Sequence, residues 1–458
     1  MDFMKVPFLP MPRKIALNGK KCILKGAVEV LSNTEPTVSF SYLLGLAGFE
    51  CERVKHVKRQ PDEPLYLVIG AKPEMLIIPE YRDEEAYAME SSEKSIVITA
   101  HTVQGLAHGV KLLVRLHKSG MLDNGYWVQD RPDVHLRGIH MCIFNPDDGT
   151  EKDITDINNI RRRVIVAALS GYNHVFLEFW GMFPYRRSEL TRLAHWPKAW
   201  TWDEVTGLID FMIDDLHITP CPTQNLTSHA GWSRLVSRKH VMLDQYPQHD
   251  DLYIQGGWCF TTENPKTQQF LRDIIDDLSE AYRKPPFIHC SCDKCFGFGS
   301  SEEDRTKPAD ILFAKHLCFL NDTISAKGSR MVMWSDTLYS SMDCLLWKCD
   351  PHTARMLPKN ILMNIWTHND PGAYWNDVEF FENLGFQSVY SPFFNRAGAR
   401  SMVKICKQHN SLGLIQTTWH RPELSLPTVV FSGGAQWGDC QEADCDELLE
   451  RCLALYQE

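Results

Sequence analysis

No stretch of this 458-residue chain reaches 18 consecutive apolar residues, so nothing in it reads as a membrane-spanning helix. Positive charge is also short. The 48 lysines and arginines face 58 acids, a formal charge of −10, and a phosphate backbone selects for a basic face, so nucleic acid is not an expected partner. The Gly-rich turn of a dinucleotide-binding sheet follows no early strand. Internal repeats and low-complexity tracts are missing. Cys292-x-x-Cys295 has no second Cys-x-x-Cys to complete the two ligand pairs of a structural zinc, and the sequence calls for neither metal nor cofactor. The segment Met1–Pro7 carries an early acid and prolines in place of an apolar core, so no secretory signal is expected.

What is present is ordinary globular material. Apolar residues make up 44% and charged residues 23%, which excludes a disordered chain, and the length favours two domains. The fifteen cysteines are odd in number and irregular in spacing, which suits reduced thiols and a cytoplasmic location better than a disulfide framework. Around Cys290 and Cys292 an extended strand would turn both thiols to one face and His289, Ser291 and Asp293 to the other, so one converging cluster is not expected and the cysteines are expected as small buried hydrophobes.

Residues 1–130 differ in texture from the remainder. Leu65–Gly70 and Ser95–Ala100 are strand-like, and Leu106, Val110, Leu113, Val114 and Leu116 recur with helical spacing, so a small α+β domain is expected there. Gln129-Asp130-Arg131-Pro132 suits an extended junction. From residue 134 to 458, strand-like and helix-like segments alternate. Strands are predicted near 137–144, 173–180, 217–224, 286–293, 330–335, 360–366, 387–391 and 413–419. Helices are predicted over Ile154–Leu169, Trp202–Leu216, Pro265–Tyr282, Ala309–Ile324 and Pro371–Leu384. Eight such units in about 320 residues define an α/β chain with a (β/α)8 TIM barrel.

The segment Phe287-Ile288-His289-Cys290-Ser291-Cys292-Asp293-Lys294 places polar groups where a barrel strand meets its loop, the usual seat of chemistry in this fold. It resembles the His-x-Gly-Gly-Asp-Glu signature of glycoside hydrolase family 20, the β-N-acetylhexosaminidases. His289 and Asp293 match, Ser291 and Cys292 stand at the glycines, and Lys294 stands at the glutamate. Further matches follow in chain order: Arg137-Gly138 on the first barrel strand, Pro220–Gln224 with His229 on the third, then Trp334 with Asp336, Trp366, and Thr417-Thr418-Trp419-His420. At the family's downstream Asp and Arg of the first strand this chain has Cys142 and Asn145.

The resemblance implies an N-acetylhexosamine-type sugar as partner and a substrate-assisted, retaining hydrolysis. Asp293 would stabilise the cyclised acetamido intermediate. Arg137, His229, His289, Trp334, Asp336, Trp366 and Trp419 would bind the sugar. A tryptophan at a strand end also serves as rim packing, but three at matching ends suit the apolar face of a pyranose. A lysine, with an ordinary pKa of about 10.4, is a poor substitute for a general acid, and losing that acid costs about 10²–10⁴ in rate. Glu178, at the end of the second barrel strand, is the alternative acid; Glu302 and Glu303 are expected as solvated loop charges. Two other outcomes remain open: an inactive glycan-binding protein, and a glycosidase in which Lys294 grips an anionic sugar. The oligomeric state leaves no mark on the sequence.

Overall fold

A computed structural model describes residues 9–144, 156–232, 239–339, 351–366, 374–419 and 422–438. The first 130 residues build a seven-stranded sheet in the order β1-β7-β5-β6-β4-β2-β3. Its strands are β1 (Lys14–Leu17), β2 (Gly26–Ser32), β3 (Phe49–His56), β4 (Leu65–Gly70), β5 (Tyr87–Ser91), β6 (Ser95–Ala100) and β7 (Tyr126–Asp130). Only β2 and β3 pair in parallel. Two helices complete this part, α1 (Ser41–Leu46) and α2 (Val103–Lys118). Helix α2 begins where Thr102 accepts from the Gly105 N–H, and its last turn carries Arg115, His117 and Lys118, which complement the negative end of the helix dipole. A Cβ on Gly105 would lie 2.5 Å from the Ala86 carbonyl oxygen, and one on Gly109 would lie 2.4 Å from Ile98. These two glycines let α2 rest directly on the sheet.

The eight predicted barrel strands all form, within a few residues of expectation: β8 (Leu136–Ile143), β9 (His174–Phe179), β10 (Thr219–Thr223), β11 (Phe287–His289), β12 (Arg330–Trp334), β13 (Leu362–Trp366), β14 (Ser388–Ser391) and β15 (Ser411–Gln416). They are parallel and close into a barrel through β15 against β8. Leu136, Phe176, Cys221, Val332, Leu362, Val389 and Ile415 fill the interior as one apolar cluster. Strand β10 contains Pro220 and Pro222, which have no N–H to give. The Thr219 N–H donates toward β9 (to the Asn173 carbonyl), so the two prolines occupy the positions that would donate toward β11. The β10–β11 ladder is accordingly reduced to Thr223 opposite His289.

The helices around the barrel are α3 (Ile157–Leu169), α4 (Trp202–Asp210), α5 (Pro265–Ala281), α6 (Ala309–Ser325), α7 (His352–Met356), α8 (Tyr374–Asn383), α9 (Arg396–Gln408) and α10 (Pro422–Trp437). Their starts are written in the sequence: Asp156, Thr201 with Glu204 in a reciprocal capping box, Asn264 before Pro265, and Asn395. The predicted Pro371 start of α8 lies outside the described residues. Among the described residues no helix is long and apolar enough to cross a membrane, and all ten described cysteines are free thiols.

One predicted element is corrected. Strand 286–293 ends at His289, because Ser291 (φ 57°), Cys292 (φ 72°) and Lys294 (φ 48°) are left-handed. The alternation of faces stops there, and the Cys290 and Cys292 thiols, both buried, lie 3.8 Å apart.

Candidate active site

The left-handed tip after β11 is the element from which the site is built. Left-handed backbone costs an L-residue roughly 1–2 kcal/mol, so it persists only where the surroundings fix it. Here nearly every peptide is held. The Cys290 N–H donates to the Val332 carbonyl, and the Trp334 N–H donates to the Ser291 carbonyl, each at 2.8 Å. The Thr337 and Ser228 hydroxyls donate to the carbonyls of Cys292 and Asp293, and the Trp258 indole donates to that of Lys294 at 2.7 Å. The two positions that the resemblance assigns to glycine, 291 and 292, are both among the left-handed ones.

This tip presents Asp293 and Lys294 to a cavity of about 360 Å³ at the C-terminal mouth of the barrel. Its walls are Phe144, Trp180, Trp334, Trp366, Phe393, Phe394 and Trp419, with Glu178, Asn225, His229 and Thr417 as the remaining polar groups. Trp334 and Trp419 lie 5.9 Å apart between ring centroids, and Phe144 and Trp180 lie 5.4 Å apart. The Trp366 indole donates to Asp336 at 2.9 Å, which fixes its ring.

The electrostatics centre on Asp293. Burial works to raise its pKa, but the Lys294 ammonium at 2.7 Å and the His229 ring at 3.5 Å outweigh burial and hold the carboxyl well below the usual range. Asp336 moves the other way. Burial first, and then the Asp293 charge, raise it to about 6. Two neighbouring carboxyls are thus driven to opposite protonation preferences, a pattern associated with acid–base sites. Glu178 is fully enclosed in the wall, bonded to His140 Nε2 at 2.7 Å and to the Asn225 amide at 2.9 Å.

The structure brings Asp293, Lys294, His229, Trp334, Trp366, Trp419 and Glu178 to one cavity, with Asp336 behind Trp366. His289 lies beneath the floor. It accepts from the Ser291 N–H, meets the Asn364 amide at 3.1 Å, and packs 4.5 Å from Trp334; burial lowers its pKa to about 3, so it stays neutral. Arg137 is a correction. As the second residue of β8 it sits at the opposite, N-terminal end of the barrel. There its guanidinium clamps Glu85 at 2.7 and 2.8 Å, donates to the Gly171 and Val134 carbonyls, and lies over Trp437. It cannot reach a sugar in the cavity. Asn145 and His420 lie outside the described residues, and Glu302 and Glu303 are exposed loop residues. Phe144, Trp180, Asn225, Phe393 and Phe394 were missed; each follows closely on a barrel strand, which is the signal that would have found them.

A closed (β/α)8 barrel behind a mixed sheet, with an ionised aspartate in an aromatic cavity at the strand ends, defines the class. Several solved structures share this whole arrangement. An exo-β-N-acetylglucosaminidase from Vibrio harveyi, solved with N-acetylglucosamine, superposes with a TM-score of 0.70 at 14% identity, over 99% of this chain and 77% of that one. The Streptomyces plicatus N-acetyl-β-hexosaminidase gives 0.68 at 14%, over 98% and 94%. A β-N-acetylhexosaminidase from Bacteroides fragilis gives 0.67 at 15%, over 98% and 94%. The chain therefore has the fold of the family 20 β-N-acetylhexosaminidases. No family's sequence pattern matches it, and no curated protein matches it in sequence.

Proposed function

We propose that the cavity binds the ring of an N-acetylhexosamine-type glycoside, and that the protein is a glycoside hydrolase of the family 20 kind, with Lys294 in place of the usual proton donor. The observation that carries this reading is Asp293, held ionised in the wall of an aromatic cavity at the barrel mouth. A fixed carboxylate that is itself buried stabilises positive charge as it develops, which is what closure of an acetamido group onto an anomeric carbon requires. Trp334, Trp366 and Trp419 offer flat apolar faces to the C–H side of a pyranose.

Lys294 changes what the site does with a bound sugar. Its ammonium is committed to Asp293 at 2.7 Å, so it neither protonates a leaving oxygen efficiently nor leaves the aspartate unshared. Turnover is therefore expected for aryl glycosides with good leaving groups and about 10²–10⁴-fold slower for alkyl glycosides. A second reading has its own support: Lys294 is 39% exposed at the cavity and stands 5.5 Å over Trp366, a position from which it would meet a sulfate or carboxylate on the sugar.

Calorimetry with N-acetylglucosamine and with a thiazoline mimic of the cyclised intermediate tests the proposal. Binding by the wild type and its loss in Asp293→Ala are expected; absence of binding, or binding unchanged by the substitution, overturns it. Lys294→Glu separates the two readings, because it raises hydrolysis of alkyl glycosides in the first and abolishes activity on sulfated sugars in the second.

A further inference from the structure

Beneath the cavity, three buried ligand-type side chains converge on the inner face of the barrel. His140 and Cys142 stand two residues apart on β8 and so share its inward face, and Cys142 is the cross-strand partner of Glu178 on β9. Their imidazole, thiol and carboxylate atoms all lie within 4.8 Å of one another, and all three side chains are buried. We propose that His140, Cys142 and Glu178 form a binding site for a borderline-soft transition-metal ion of the zinc class, with its remaining position turned toward the cavity.

The geometry suits such an ion. With metal–ligand bonds of about 2.0–2.3 Å, the ligand atoms of a tetrahedral site lie roughly 3.3–3.8 Å apart. The Cys142 sulfur is 3.8 Å from both the His140 nitrogen and the Glu178 oxygen. The His140–Glu178 separation of 2.7 Å is a hydrogen bond and opens by about half an ångström to admit the ion. A nitrogen, a thiolate and one carboxylate disfavour magnesium and calcium, which take oxygen ligands, and favour zinc or cobalt. The outer groups are in place in part. The Asn225 amide holds the second Glu178 oxygen at 2.9 Å and Trp419 packs 4.5 Å from the His140 ring, while His140 Nδ1 has no hydrogen-bond partner among the described residues. Three protein ligands with one position left for water or a substrate hydroxyl is the pattern of a catalytic rather than a structural zinc. Glu178 lines the cavity, so a site that it helps to hold borders that space. The inference stands apart from the sugar reading, since it needs no sugar to be tested.

The test uses the full chain stripped with a chelator and titrated with Co²⁺, then with Zn²⁺ in competition. One equivalent of cobalt is expected to produce a thiolate-to-cobalt charge-transfer band in the near ultraviolet, which zinc abolishes. Cys142→Ser should lose that band, and Glu178→Gln should weaken binding by more than about 100-fold, beyond the cost of losing an outer partner. Cys292→Ser, which leaves the cluster intact, should keep the band, and circular dichroism confirms that each variant is folded. No stoichiometric cobalt binding by the wild type, or a thiolate band that survives in Cys142→Ser, overturns the proposal and leaves a plain His140–Glu178 hydrogen bond.

Discussion

At the scale of single residues, the tip after β11 concentrates what is unusual here. Ser291 is left-handed, and its buried hydroxyl has no hydrogen-bond partner among the described residues. Both features penalise the folded state: the left-handed backbone by roughly 1–2 kcal/mol and the unsatisfied hydroxyl by about 1–3 kcal/mol. Ser291→Gly removes both and returns about 0.5–1 kcal/mol through the freer unfolded chain. A net stabilisation of about 1–4 kcal/mol is expected, read as a rise in the denaturant midpoint at unchanged slope. A lowered midpoint would show that the Ser291 side chain contributes packing that its missing bonds conceal. Sequence made Asp293, Lys294 and the tryptophans legible because they stand at the ends of apolar runs. It could not place Arg137, since a residue next to a strand's first position and one near its last look alike in a motif. Nor could it expose the three-ligand cluster, because Glu178 meets His140 and Cys142 only through strand pairing.

The elements were legible where burial imposes a simple pattern. Parallel strands covered on both faces read as apolar runs, and most barrel strands did, whereas β10 (Thr-Pro-Cys-Pro-Thr) and β14 (Ser-Val-Tyr-Ser) carry only a short apolar centre. Helices α9 and α10 were missed for different reasons. Helix α9 opens on the small residues Ala397, Gly398 and Ala399, and its larger buried residues Met402, Val403 and Ile405 come only after them, while α10 has one charged residue, Glu423, and is interrupted by Pro427, Gly433 and Gly434. Glycines within helices divide by what surrounds them. Gly207 in α4 is exposed, with nothing within 4 Å of an added Cβ, while Gly105 in α2 would drive that Cβ to 2.5 Å from the Ala86 carbonyl oxygen. The same substitution should therefore act with opposite sign. Gly207→Ala is expected to stabilise by about 0.5–1 kcal/mol, and Gly105→Ala to destabilise by about 1–3 kcal/mol as α2 lifts from the sheet. Thermal melts of the two variants beside wild type check this; shifts of the same sign would contradict the close seating of α2.

At the scale of the whole molecule, the contact between the sheet and the barrel contains a buried ionic cluster beside its apolar packing. Arg137 from β8 clamps Glu85, and α2 adds His108 at 3.0 Å from that carboxylate, together with Lys111. Burial works to raise Glu85, but Arg137 and then His108 prevail and hold it well below the carboxylate range. Lys111 receives less support. Its ammonium is fully buried and donates to the His217 carbonyl at 3.2 Å, and burial pulls its pKa down to about 7. The unfolded chain holds this proton up to about pH 10.5 and the folded one only to about 7. Between those values the unfolded state binds more protons, so stability rises with pH across that window, and the whole penalty is present below 7. Lys111→Met keeps the shape and removes the ammonium, while the His217 carbonyl retains its bond from Gln104 at 3.0 Å. The variant should be more stable than wild type by on the order of 1–3 kcal/mol at pH 7, because an apolar replacement of a poorly compensated buried charge is often stabilising. Its advantage should shrink as pH rises toward 10. Denaturant titrations at pH 7 and pH 10 measure both quantities. An advantage that does not depend on pH would mean that Lys111 carries the same charge in the folded and unfolded chains.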